Sequence, residues 1–140
     1  MRHTQIRRDT GGAAVELALL TPALVLFALL VVLAYRTVSA EFTADTVAHA
    51  AARAATLQRS VAAAEIASRE AAANALRTHE LSCAGHTLTL DTAGLVPGST
   101  VTATFTCHAD LADLSGLGLP GTYTATGTAS AVVDTYRSAP

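Results

Sequence analysis

The chain has no lysine and no tryptophan, two cysteines, and an aromatic content of only 4% over 140 residues. Without a dense basic patch or stacking rings it lacks both surfaces that nucleic-acid binders use, so nucleic acid is excluded as a partner. Charged residues make up 14% and hydrophobic residues 51%, with a mean hydropathy of +0.39. So little charge on so apolar a chain points away from an ordinary soluble domain and toward the membrane class. Motifs of catalysis are missing as well: there is no GxSxG, no HExxH, no phosphate-binding glycine loop and no dinucleotide fingerprint. Asp110 and Asp113 fall in one loop and read as solvated acids, so the chain is read as a non-enzyme without a cofactor.

What is present begins with LALLTPALVLFALLVVLAY, the uncharged run from Leu17 to Tyr35. A helix of about 20 residues crosses a hydrocarbon core of roughly 30 Å. Pro22 removes one backbone N–H and crowds the carbonyl of Ala18, which predicts a helix kink there. Tyr35 and Arg36 close the run as interfacial anchors. Arg2, Arg7 and Arg8 precede it, so the positive-inside rule places the N-terminus in the cytoplasm and the remainder outside, in contact with membrane lipid only along the span. A competing reading is a cleaved signal peptide, since Val38-Ser39-Ala40 offers small residues before a cut at Glu41. The apolar run is longer than a usual signal-peptide core and has Glu16 at its head, which favours a retained anchor.

No glycine or proline occurs between Tyr35 and Gly85, and alanine dominates residues 41–82. The stretch reads as helix, with Val47, Ala51, Ala54, Leu57, Val61 and Ala64 on one apolar face. It continues the membrane helix, with a break expected near Thr37 to Thr46. After Gly85 the period changes to two. HTLTLD at 86–91 and STVTATFTC at 99–107 read as strands around a turn at 92–98. Residues 111–121 read as a loop, and 122–136 as one long strand or two short ones. The expected fold is α+β: a long N-terminal transmembrane and extended helix followed by a small antiparallel sheet covered by helix. The expected segments are residues 1–11, 12–36 (membrane helix), 37–82 (alanine-rich helix) and 83–140 (β-rich module).

Cys83 and Cys107 lie in the part expected outside the cell. Three states are open to them: a disulfide, free thiols, or a metal site shared with His79, His86 and His108. The oxidising side of the membrane and the lack of a CxxC pair favour the disulfide, and no metal is expected.

Glu16 is the residue hardest to place. A carboxylate at the head of a membrane span is expensive unless it snorkels to the headgroups or has a partner, and it is by default functional. Arginines, then GGAAVE, then an apolar helix form the layout of prepilin-type leaders. The stretch GGAAVELALLTPALVLFALLVV resembles the N-terminus of TadE-like and TadG-like pseudopilins of the tight-adherence, or Flp, pilus system. AHAAARAA at 48–55 and the closing stretch from Val101 to Arg137 are similar to members with a small β-rich module after the helix. The resemblance implies a cytoplasmic leader, residues 1–11, removed by a membrane prepilin-type peptidase. Gly11 then precedes the scissile bond and Glu16 is the acid at position five of the mature chain. Cutting after Gly12 instead leaves Glu16 at position four. The resemblance further implies a minor pseudopilin whose partners are the peptidase, other pseudopilins and the pilus assembly machinery. The alternative is a membrane-anchored or secreted extracellular binding module with no pilus role.

Overall fold

The computed structural model describes residues 10–79 and 81–136. The chain divides into two compact units, Met1–Ala34 and Tyr35–Pro140. Helix α1 covers Thr10–Thr56 and contains Pro22. The expected break between Thr37 and Thr46 does not occur. Thr43 and Thr46 donate their hydroxyls to the carbonyls of Ser39 and Phe42, at 2.9 Å each. Their polar atoms are thereby satisfied inside the helix instead of competing with it.

The helix ends ten residues later, where continuous helix was expected. Ser60 has extended backbone (φ -135°) and its side chain accepts from the N–H of Ala63, forming the N-cap of α2, Val61–Thr78. α2 packs against α1: the Ser68 hydroxyl donates to the Ala51 carbonyl at 3.0 Å. The face read through Leu57 and Val61 is thus broken, and these side chains are 71% and 43% exposed. The turn allows two alanine faces to be buried, Ala51 and Ala55 on α1 with Ala64 and Ala72 on α2. A continuous rod would carry the α2 face away from this core.

Three antiparallel strands follow in sequence order: β1 Gly85–Asp91, β2 Thr100–Asp110 and β3 Thr122–Val132. The α+β class expected from the sequence is observed. Residues 122–132 form one strand, and the expected loop after β2 opens with a single helical turn, α3 Leu111–Ser115. Gly116, at φ 65°, ends that turn with its N–H on the Ala112 carbonyl.

The period-two pattern sorts the sheet into two faces. Val101, Ala103, Phe105, Cys107 and Ala109 of β2 point inward with Ala125 and Ala129 of β3, all buried. Threonines fill the outer face, paired across the strands as Thr89–Thr104–Thr128 and Thr87–Thr106–Thr126. Ala40, Ala44, Val47 and Ala48 of α1 share a core with Phe105 and Cys107. Helix and sheet therefore form one hydrophobic unit over residues 35–136, with α1 and α2 on the inner sheet face.

Candidate functional site

Within the first unit, α1 carries the candidate anchor. One helix in the described residues is long and apolar enough to cross a membrane. Its large side chains are uncovered: Leu24 is 64% exposed, Leu26 63% and Phe27 66%. Thr21 donates its hydroxyl to the Leu17 carbonyl at 2.7 Å, one turn back. That bond satisfies a polar group that lipid could not. Pro22 sits inside the helix next to it, without an N–H to give to Ala18.

Gly11, Gly12 and Glu16 all lie in the first two turns of α1. Around Gly12 there is open space, with nothing near the position of a Cβ. Glu16 is exposed, and among the described residues no ion pair reaches it. It lies four positions after Gly12, about one helical turn. The arginines expected to hold the leader inside, Arg2, Arg7 and Arg8, lie outside the described residues.

In the second unit, α1 and β3 meet at closer range than side chains normally allow. A Cβ on Gly127 would fall on the backbone of Ala44 and Asp45. Only glycine lets the helix backbone rest on the strand there. Two acids on that helix bind β3 on either side of the contact. The Asp45 carboxylate accepts from the Thr128 N–H at 3.2 Å. The Glu41 carboxylate accepts from the Tyr123 hydroxyl at 2.6 Å. That hydrogen bond, aided by burial and the carboxylate's charge, raises the Tyr123 phenol above its ordinary value of 10.0.

Cys83 and Cys107 form a disulfide, with Cα atoms 5.5 Å apart and a sequence separation of 24. Cys83 stands in the connection from α2 to β1, and Cys107 is buried on the central strand. Closing a loop of that length contributes about 3.5 kcal/mol in the chain-entropy account. With both sulfurs in the bridge, the mixed cysteine–histidine metal set has no thiolate to offer. His108 instead bonds through Nδ1 to the Thr124 hydroxyl at 3.0 Å. Among the described residues no cluster of three or more histidine, cysteine or acidic side chains is placed to hold a metal ion.

The expected site residues thus belong to different units: Gly11, Gly12, Glu16 and Pro22 to the first, the cysteines to the second. Sequence reasoning missed the Glu41, Asp45 and Gly127 contacts. A signal existed for Gly127 alone, since an isolated glycine inside an alternating strand often marks a close backbone approach.

Residues 11–53 match the family described as TadE-like protein. The similarity starts at Gly11, takes in Glu16 and Pro22, and runs to within three residues of the end of α1. It leaves α2 and the sheet outside. No curated protein and no solved structure matches the chain.

Proposed function

We propose that this protein is a membrane-anchored, pilus-associated assembly component of the tight-adherence type, matured by a prepilin-type peptidase and acting without catalysis. The observation that carries the reading is a coincidence at one place in the chain. Similarity to the TadE-like family opens at Gly11. Five residues on, Glu16 stands at the head of a 19-residue run without charge, within a helix long enough to cross a bilayer.

Chemistry gives the acid a purpose. Cleavage after Gly11 exposes an ammonium on Gly12, one helical turn from the Glu16 carboxylate. Pairing these two charges offsets the desolvation of each near the membrane interior. A neighbouring copy's Glu16 serves the same amine when helices bundle. In this reading the arginines keep residues 1–11 in the cytoplasm, residues 12–36 span the membrane, and the disulfide-bonded unit lies outside. Its partners are the peptidase, other pseudopilins and the assembly machinery.

N-terminal sequencing of the protein recovered from membranes of cells carrying the pilus system tests this. The expected first residue is Gly12, with Ala13 expected if the cut follows the second glycine. Glu41 as first residue would replace the reading with a secreted module, and Met1 or Arg2 with an unprocessed anchor. A Glu16→Ala chain with unchanged processing and unchanged piliation would remove the role given to the acid.

A further inference from the structure

A row of polar residues at four-residue spacing, Glu41, Asp45, His49 and Arg53, runs along α1 beside β3. Its acidic half is occupied by the sheet: Glu41 holds the Tyr123 hydroxyl and Asp45 holds the Thr128 N–H. The basic half is not. Among the described residues, neither the His49 nor the Arg53 side chain has a hydrogen-bond or ion-pair partner. Both line a cleft of about 560 Å³ together with Thr46 and residues Ser130, Ala131 and Val132 of β3. That volume lies in the range of ordinary ligand sites.

The strand wall of this cleft is an open sheet edge. β3 is the last strand in the order, and among the described residues it pairs only with β2. Three hydrogen bonds fix which backbone groups face outward. The Thr128 N–H points away from β2, to Asp45. The N–H and carbonyl of Val133 point the other way, to Ser99 and Gly98, at 2.8 and 3.0 Å. By the alternation of an antiparallel ladder, the N–H and carbonyl groups of Ser130 and Val132 then face the cleft. Upstream, the Asp45 carboxylate closes the edge at Thr128, which is a known way to block strand addition. Downstream, among the described residues, no acid closes it, and two bases flank it.

We infer that this cleft binds an extended polypeptide segment bearing a carboxylate. The segment adds to the sheet as a fourth strand against Ser130 and Val132, and its carboxylate is held by Arg53 and His49. Main-chain hydrogen bonds supply the affinity of such strand addition, while the side-chain charge supplies selection. Charge decides the choice of occupant: among the described residues the lining carries two bases and no acid, so a basic or neutral strand leaves the guanidinium without an ionic partner. The inference is independent of where the leader is cut.

The test uses the full chain in neutral detergent micelles. The probes are hexapeptides of alternating threonine and valine, with one aspartate placed at each position in turn and a neutral fluorophore at the N-terminus. At least one probe is expected to bind, read as a rise in anisotropy. Its asparagine counterpart, and the same probe with Arg53→Gln protein, are each expected to bind about tenfold more weakly, the scale of a lost charge-assisted hydrogen bond. Methylating the probe's alternate backbone nitrogens is expected to weaken binding similarly. Arg53 is an exposed helix position, and an unchanged thermal melt verifies that the variant folds. The proposal is overturned if no probe binds at millimolar concentration, or if binding is indifferent either to the charge changes or to the backbone methylation.

Discussion

Residues 17–34 and residues 40–55 belong to the same helix and both carry apolar surface, yet that surface is built from different side chains. The first stretch is leucine, valine and phenylalanine, left uncovered by the protein: Leu20 is 51% and Leu30 65% exposed. The second is chiefly alanine, and Ala44, Ala48, Ala51, Ala52 and Ala55 are fully buried. Side-chain size reports what each stretch packs against. A bilayer is a fluid apolar solvent that accepts large residues in any arrangement, so the uncovered stretch suits a candidate membrane anchor. A sheet is a fixed surface, and a helix can approach it backbone to backbone only where both carry small residues. Gly127 opposite Ala44 is the extreme case.

The comparison breaks most severely at that contact. Gly127→Ala is expected to destabilise the second unit by about 3 kcal/mol, the upper part of the overpacking range, because the obstacle is helix backbone that no rotamer change can relieve. Thermal denaturation of the full chain in detergent measures this. Membrane association of the same variant should be unchanged, since residues 17–34 are untouched. Retention of wild-type stability would refute the close approach.

A charge in the first stretch tests the converse. Leu26→Arg stands at the middle of the uncharged run and is expected to cost about 2.5 kcal/mol of membrane insertion. Alkaline extraction of membranes should release more of the variant than of the parent chain. Melting of the disulfide-bonded unit should not shift. If the unit melted lower instead, the division between the two stretches would be wrong.

The smallest expected effect sharpens the comparison within the second stretch. Tyr123→Phe removes the hydrogen bond to Glu41, about 0.5–1 kcal/mol near neutral pH. Because the folded state raises the phenol's pKa, that contribution is fully present below pH 10, the unfolded value. It is lost as pH rises from there through the folded value. Stability curves of the two chains should therefore lie a constant distance apart up to about pH 10 and converge above it. Parallel curves throughout would show that the tyrosine proton is not linked to folding.

Much of this was legible beforehand, for reasons that differ by region. The first unit is written in one dimension: an uncharged run either has the length of a bilayer or does not, and Gly11 to Glu16 is a linear spacing. The strands were legible to within a few residues because alternation of threonine with alanine, valine and phenylalanine is itself local. The helix reading failed at Leu57–Ser60, where alanine-rich sequence continued to favour helix. Nothing local in QRS outweighs that propensity. The turn is fixed by what it achieves at a distance, the docking of Ser68 on Ala51 and of two alanine faces on each other. The cap at Ser60 became readable only once the turn was known.

By itself the sequence determined that there is an apolar helix of membrane length and an α+β unit after it. These follow from composition, period and spacing, which are properties of neighbouring residues. Only the tertiary structure decided that α2 folds back, that α1 rests on β3 at Gly127, and that the acids at 41 and 45 are taken up by the sheet while the bases at 49 and 53 face an open edge. Those outcomes depend on which surfaces can approach across 17 residues of chain for α2 and more than 80 for β3. Steric fit and hydrogen-bond satisfaction govern that approach, and neither is expressed in local order.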